Sequence, residues 1–304
     1  MEFEVTNELD GKTVLYILTQ VLGLSRGMVK HLKFLDDGIM LNEKKVTVRG
    51  IVKKGDRLCL NTESEVDSKI KAVELALSIV YEDDDIVVPD KPPFMPTHPS
   101  HDHYEDTVAN ALAYRYKDGK EAFVFRPVNR LDRNTSGLLI IARSRIAAAK
   151  LYGSMLKKEI RKKYIAILDG VPKEKSGIIE TYIRRTAESI IVREVCGENE
   201  GGDRAVTEYK VIADNGRYSV VLAEPITGRT HQLRVHFASI GCPIVGDDIY
   251  GSESELINRH ALHAATLSFK HPREDREMML RAPLHDDMRL LFENLFGNEV
   301  LDYE

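Results

Sequence analysis

Tryptophan is absent from the 304 residues, cysteine occurs three times, and no apolar run approaches the length of a bilayer span. Each shortage removes a class of protein. Cys59, Cys196 and Cys242 are widely spaced and never form a Cys-x-x-Cys pair, so neither a disulfide framework nor a zinc knuckle is indicated. The opening Met-Glu-Phe-Glu-Val has no basic n-region and no apolar h-region, so no secretory leader is expected; a cytoplasmic protein with no membrane partner is. No internal repeat or low-complexity tract is evident. What remains is ordinary in bulk: 43% hydrophobic and 30% charged residues argue against wholesale disorder. The length exceeds what one domain needs, so a large domain with a small one appended is expected.

The formal net charge of -5 speaks against a nucleic-acid partner only until its distribution is read. From Arg126 to Lys163, eleven Lys and Arg face two acids, Asp132 and Glu159. Between Glu63 and Asp85, eight acids face Lys69 and Lys71, and from Pro283 to Glu304 six acids face Arg289. The chain is therefore acidic as a whole and strongly basic in one stretch.

Residues 1–62 read as a small α+β module. Val14, Leu15, Leu18, Val21 and Leu22 have helical spacing over Thr13 to Leu22. Ser25 can cap a second helix that places Arg26, Lys30 and Lys33 near one another. Strand-like runs follow at 39–42, 45–48 and 57–60, the last after the turn Lys53-Lys54-Gly55-Asp56. Leu24 to Arg57 holds nine basic against four acidic residues. This order, with Leu-Ser-Arg entering the second helix and Val-Lys-Lys-Gly-Asp before the last strand, resembles the S4 RNA-binding domain, which implies that Arg26, Lys30 and Lys33 contact RNA. Residues 63–76 are polar and acidic without a period and read as a linker. Residues 77–304 form the second domain. Its strand-like runs, at 77–81, 85–88, 137–142, 164–168, 180–183, 190–195, 207–212 and 219–223, outnumber the helical ones at 107–116 and 146–158. An α+β fold with a mixed, largely antiparallel sheet and peripheral helices is predicted.

Three clusters carry chemistry. In the first, Arg126-Pro-Val-Asn-Arg-Leu-Asp132-Arg-Asn-Thr-Ser-Gly137, a carboxylate sits in a polar turn before an apolar strand, where rigid scaffold holds catalytic loops. Arg130 or Arg133 would favour the ionised form that a nucleophile needs. In the second, Lys162-Lys163-Tyr164, an aromatic side chain beside lysines suits base stacking with phosphate contact if it lies at an exposed edge, and is otherwise a core tyrosine. The third runs Thr227-Gly-Arg229-Thr-His231-Gln232-Leu233-Arg234-Val-His236, then Gly246-Asp247-Asp-Ile-Tyr250-Gly251. The Thr-Gly-Arg turn presents Arg229, and the alternation after it suits a strand end or a first helical turn.

Together, Arg-Leu-Asp-x-x-Thr-Ser-Gly-Leu, Lys-x-Tyr-x-Ala-x-x-x-Gly, Thr-Gly-Arg-Thr-His-Gln-Leu-Arg-Val-His and Gly-Asp-x-x-Tyr-Gly resemble, in order, the RluA family of pseudouridine synthases. The resemblance spans about residues 77–292, with Asp90-Lys91-Pro92 and His263 among its further matches. It implies the pseudouridine synthase fold and a cofactor-free, metal-free isomerase. Asp132 would attack the ribose C1′ of a flipped uridine, or begin by taking the C2′ proton. Tyr164 would stack on the uracil, Arg229 would pair with the aspartate, and Arg130, with Leu233, would lie on the substrate side. The implied partner is RNA, of the 23S ribosomal type by analogy with S4-bearing members and transfer RNA otherwise; a monomer is expected. Where the family has His before Arg-Leu-Asp, this chain has Asn129, and where it has Asn-Lys-Pro this chain has Asp90.

Other readings are weaker. A hydrolase built from Ser136, His231 and Asp132 lacks a Gly-x-Ser-x-Gly elbow. The loop His98, His101, Asp102, His103, Glu105 and Asp106 is rich in ligand types but matches no zinc spacing. A non-enzymatic RNA-binding protein leaves the complete catalytic set unexplained.

Overall fold

A computed structural model describes residues 2–22, 26–35, 37–60, 70–119, 123–274 and 276–297. Two sheets organise them. The first, of order β1-β4-β2-β3, is antiparallel and uses β1 (Glu2–Glu4), β2 (Ile39–Leu41), β3 (Lys44–Lys45) and β4 (Arg57–Leu60). Its helical side holds α1 (Val14–Tyr16), a π turn over Ile17–Val21, and α2 (Arg26–Phe34). The helix predicted over Thr13 to Leu22 is therefore interrupted. Thr13 caps it by accepting the Tyr16 amide at 3.2 Å, but the Thr19 hydroxyl donates to the Leu15 carbonyl at 2.8 Å and competes with the backbone ladder. The Leu22 amide then reaches back to the Ile17 carbonyl, one residue further than in an α-helix. Strand pairing predicted at 45–48 stops at Lys45, because the chain turns back at Thr47 to Gly50. Ser25 lies outside the described residues.

The second sheet has twelve strands. Ten run in the order β12-β11-β13-β14-β10-β15-β8-β6-β9-β7, with β5 on β6 and β16 on β15. In chain order they are β5 (Ser78–Glu82), β6 (Ile86–Lys91), β7 (Arg126–Pro127), β8 (Ser136–Leu138), β9 (Ile141–Ala142), β10 (Arg161–Asp169), β11 (Ser176–Arg185), β12 (Arg193–Cys196), β13 (Asp203–Asp214), β14 (Tyr218–Pro225), β15 (Leu262–Lys270) and β16 (Glu277–Arg281). Every pairing is antiparallel except β15 with β8, so the mixed, largely antiparallel sheet predicted from the strand count is what forms. Four helices cover it: α3 (Val108–Arg115), α4 (Arg145–Leu156), α5 (Gln232–Ser239) and α6 (Asp286–Phe296).

Side chains on successive strand residues point to opposite faces, and the core divides accordingly. Val87, Leu139 and Ile141 join one apolar cluster with α3, α5 and α6, whereas Ile86, Val88, Leu138 and Ile140 join another with Ala147 and Leu151 of α4. Tyr164 to Leu168 is buried throughout, as a strand covered on both faces must be. A second face of α4 supplies Ile146 and Ala149 to the core of the four-stranded region. One helix thus belongs to both cores.

Candidate active site

Asp132 lies in the connection between β7 and β8, and the connection is held from below by buried polar groups. The Thr135 amide bonds the Asp132 carbonyl at 3.1 Å, closing the turn. Buried Thr97 donates its hydroxyl to the Leu131 carbonyl at 3.0 Å and accepts the Leu131 amide at 3.3 Å. Lys91, with no exposed surface, directs its three ammonium protons to the carbonyls of Pro92, Met95 and Arg133 at 2.8–2.9 Å. Burial and the nearby Arg259 charge pull that ammonium down to about 7, while Asp132 favours its charged form. Arg259, 1% exposed, donates to the Asn134 carbonyl at 3.1 Å and is itself clamped by Asp287 at 2.6 and 2.9 Å. Thr135 pairs with His260 Nε2 at 2.8 Å and Ser136 with His263 Nδ1 at 2.9 Å. Gly137 follows at φ +106°, where an added Cβ would meet the Ala264 carbonyl at 2.3 Å, so β8 approaches β15 only because this residue is glycine.

Two basic side chains from the start of α5 approach Asp132. His231 Nε2 is 3.8 Å and Arg234 Nη1 3.9 Å from Asp132 Oδ2. The run from Thr230 to Arg234 is thus a first helical turn, with His231 as N-cap at φ 57°. Arg234 is 4% exposed and bound at 2.7 Å through each of two nitrogens by Asp247, itself fully buried. Burial works against the guanidinium charge, and the Asp247 carboxylate more than offsets it. Tyr250 accepts the Arg193 amide at 2.9 Å, which leaves its hydroxyl proton for His231 Nδ1 at 2.8 Å. With the Tyr250 hydroxyl as donor, the proton of a neutral imidazole sits on Nε2, facing Asp132. Burial holds the His231 pKa down, with Asp132 opposing. The Gly-Asp-x-x-Tyr-Gly segment is therefore a support for Arg234 and His231.

Arg229 is placed differently from the expectation. It lines the same cleft, but its Nε donates to the Arg204 carbonyl at 3.2 Å and its Nη1 lies 3.5 Å from Asp203 Oδ1, so it does not pair with Asp132. Buried Gln232 explains why: its Oε1 takes the Arg229 amide at 3.0 Å and the Thr227 hydroxyl at 2.7 Å, fixing the turn with the Arg229 side chain outward. Arg234 occupies the position given to Arg229. Arg133 offers only its carbonyl to the site, and Arg130 stands exposed at the mouth.

Tyr164 is not at an edge. β10 is paired on both sides, and Tyr164 is 8% exposed. Its remaining surface faces the cleft, where burial first, then Asp132, pushes its phenol pKa up. The cleft, ≈ 780 Å³, has Asp132, Tyr164 and Leu233 on its floor and Arg130, Lys158 and Arg229 on its rim; α4 contributes Tyr152 and Leu156. Asn129 Oδ1 accepts the Ile140 amide at 2.8 Å, and its Nδ2 has no partner among the described residues. Asp90 bonds His285 Nε2 at 3.0 Å.

Lys30 and Lys33 are exposed on α2 and do not line the cleft; Arg26 begins the same helix, and its side chain lies outside the described residues. Two carboxylate and histidine groups converge within metal-ligand reach, Asp90 with His263 and His285 and Asp83 with Asp85 and His271. Both nitrogens of His263 are already bonded, to Ser136 and to the Ala282 carbonyl. The His98 to Asp106 loop instead closes on itself through His103 and Asp106.

A broad, largely antiparallel sheet thus presents one carboxylate from a loop into a cleft rimmed by basic residues. A family model described as RNA pseudouridylate synthase matches residues 85–239. An uncharacterised RNA pseudouridine synthase of Bacillus subtilis, YhcT, is 36% identical over 98% of each chain. Ribosomal large subunit pseudouridine synthase D of Haemophilus influenzae is 34% identical over 83% of this chain and 81% of its own. Among solved structures, human RNA pseudouridylate synthase domain containing 1 superposes with a TM-score of 0.57 at 27% identity, over 78% of this chain and all of its own. The chain belongs to the RluA family of RNA pseudouridine synthases, and it is an isomerase. Among the described residues no helix is long and apolar enough to cross a membrane.

Proposed function

We propose that the enzyme isomerises uridine in structured large-subunit ribosomal RNA, in the cytoplasm, with Asp132 as nucleophile. The observation that carries this reading is the Asp132 carboxylate, about a quarter exposed, on a cleft floor shared with Tyr164 and faced by His231 and Arg234. Asp132 attacks C1′ as the N1–C1′ bond breaks, and the detached uracil turns. C5 then bonds C1′ as the Asp132 ester bond breaks; the C5 proton leaves to water and N1 gains one. Extracting the base costs a few kcal/mol. Stacking on Tyr164 returns roughly 1–3 kcal/mol. Burial and the Asp132 carboxylate favour the neutral phenol, and Tyr164 serves as the stacking surface. His231 and Arg234 orient the carboxylate. Residues 1–62 act as a separate RNA-binding module through Arg26, Lys30 and Lys33, joined by the segment 63–76 to the catalytic domain 77–304. Ribosomal RNA is favoured by the relatives whose names specify the large ribosomal subunit.

The test is incubation of the protein with total ribosomal RNA and with transfer RNA, followed by mapping of pseudouridine. Asp132→Asn keeps the side-chain size and removes the charge, so product should fall at least a thousandfold while RNA affinity stays within a few-fold. A variant that turns over near the wild-type rate sinks the nucleophile assignment, and product confined to transfer RNA moves the substrate.

A further inference from the structure

A second cavity, ≈ 340 Å³, opens beside the catalytic cleft and shares Gly228, Arg229 and Thr230 with it. Its other walls come from the ends of β11 and β12 and the start of β13, and bring Arg184, Arg185 and Arg193 opposite Arg229. Asp203 is the one acid among its lining residues.

The four guanidiniums are not equivalent. Arg184 is neutralised by Glu194 at 2.8 Å, with Glu200 at 3.7 Å. Arg193 donates to the carbonyls of Ile190, Ile191 and Val192 at 2.9–3.2 Å, bonds that leave its charge uncancelled. Arg185 is exposed and has no hydrogen-bond or ion-pair partner among the described residues. Arg229 donates Nε to the Arg204 carbonyl at 3.2 Å, and its charge is met by the loose contact to Asp203, 71% exposed, at 3.5 Å. The cavity therefore holds a net positive charge in a polar, solvent-open wall. It is also tethered to the chemistry, since the Arg193 amide holds the Tyr250 hydroxyl that orients His231.

We infer that this cavity is a phosphate subsite for the RNA strand next to the target uridine, with Arg185 and Arg229 as its binding groups and Asp203 as the ion that holds Arg229 when no RNA is bound. The inference rests on RNA being the substrate. A planar guanidinium is suited to a phosphodiester, which it can grip through two nitrogens. The same placement explains why Arg229 turns from Asp132: it serves the strand, and Arg234 serves the carboxylate.

The experiment measures binding of a structured RNA carrying the target uridine, across a salt series, for the full-length enzyme. Arg185→Gln and Arg229→Gln should each weaken binding about three- to tenfold and flatten the log K against log salt slope by roughly 0.7 to 0.9. Asp203→Asn should act in the opposite direction, tightening binding and steepening the slope, which loss of structure cannot do. Neutral methylphosphonates placed one at a time along the RNA should locate a single position that weakens wild-type binding and leaves Arg185→Gln indifferent. The subsite is overturned if Arg185→Gln keeps wild-type affinity and slope, or if every methylphosphonate position weakens Arg185→Gln as much as it weakens the wild type. Wild-type pseudouridine formation, measured in parallel, separates either failure from a failure of the activity itself.

Discussion

The floor and the rim of the cleft are built on opposite principles. On the floor, Lys91, Arg259, His260 and Thr135 are buried and bonded to the loop that carries Asp132. On the rim, Arg130 and Arg229, with Arg185 in the adjoining cavity, are exposed and loosely held or unpaired among the described residues. Charges sealed from water cost several kcal/mol unless paired or hydrogen-bonded, so Lys91 and Arg259 are each held by several partners at once and tie the loop in place. Charges left in water cost little and stay available to a polyanion, so the rim contributes affinity and not alignment. Chemistry and grip are thus separable by mutation.

The sharpest break comes from Arg234, the floor cation nearest the carboxylate that is bound by another acid. Arg234→Gln should lower single-turnover pseudouridine formation about 10²- to 10³-fold with RNA affinity kept within a few-fold, since it removes a preorganised charge at the reacting centre. Equal losses in rate and affinity would put Arg234 with the rim. Next, Arg259→Ala leaves Asp287 without its partner and strips the Asn134 carbonyl, so unfolding in urea should show a loss of about 3 kcal/mol. A loss no larger than that of Arg130→Ala, a rim control, would deny the floor its structural role.

The third prediction concerns pH. His236, held between the Thr207 and Thr181 hydroxyls, and His263 are both depressed to about 4 by burial. The unfolded chain takes up their protons near 6.5 and the folded chain does not, so stability is present at pH 7 and declines as pH falls from about 6.5 toward 4. At pH 5 each histidine accounts for about 2 kcal/mol of that loss. Urea unfolding of His236→Gln should show a correspondingly shallower dependence; an unchanged one would mean that His236 does not titrate on unfolding. The smallest effect belongs to the basic helix of the four-stranded region. Replacing Arg26, Lys30 and Lys33 by Gln should flatten the salt slope of RNA binding by roughly 0.7 to 0.9 for each phosphate no longer neutralised, with turnover at saturating RNA little altered. Wild-type affinity throughout the salt series would assign that helix another partner.

Asp132 and Tyr164 were singled out by the family resemblance of the ordered motifs, and both line one cleft; their residue types alone left Asp132 open to a structural turn and Tyr164 to a core position. The choice between Arg229 and Arg234 was not. It depends on where α5 begins, and the left-handed backbone at His231 that sets this carries no local signature. Gln232, an ordinary amide in the sequence, decides that Arg229 points outward. The central position of Tyr164 likewise follows from long-range pairing of β10 with β14 and β15, which periodicity within β10 cannot express. Asp247 and Tyr250 were visible as a motif, but their task appears only when the turn is seen beneath Arg234 and His231. The largely antiparallel sheet was readable from strand number and spacing. The π turn at Ile17–Val21 was not, since apolar spacing there fits an ordinary helix.

The single parallel pairing, β8 beside β15, has a consequence for synthesis. Ser136 and His263, hydrogen-bonded in that pairing, are 127 positions apart, and Arg259 must also find Asp287 before the Asp132 loop is secured. All the motif residues through Gly251 leave the ribosome before these partners do. A nascent chain carrying the full set of signature residues should therefore still be inert, and activity should switch on only when the last helix is delivered.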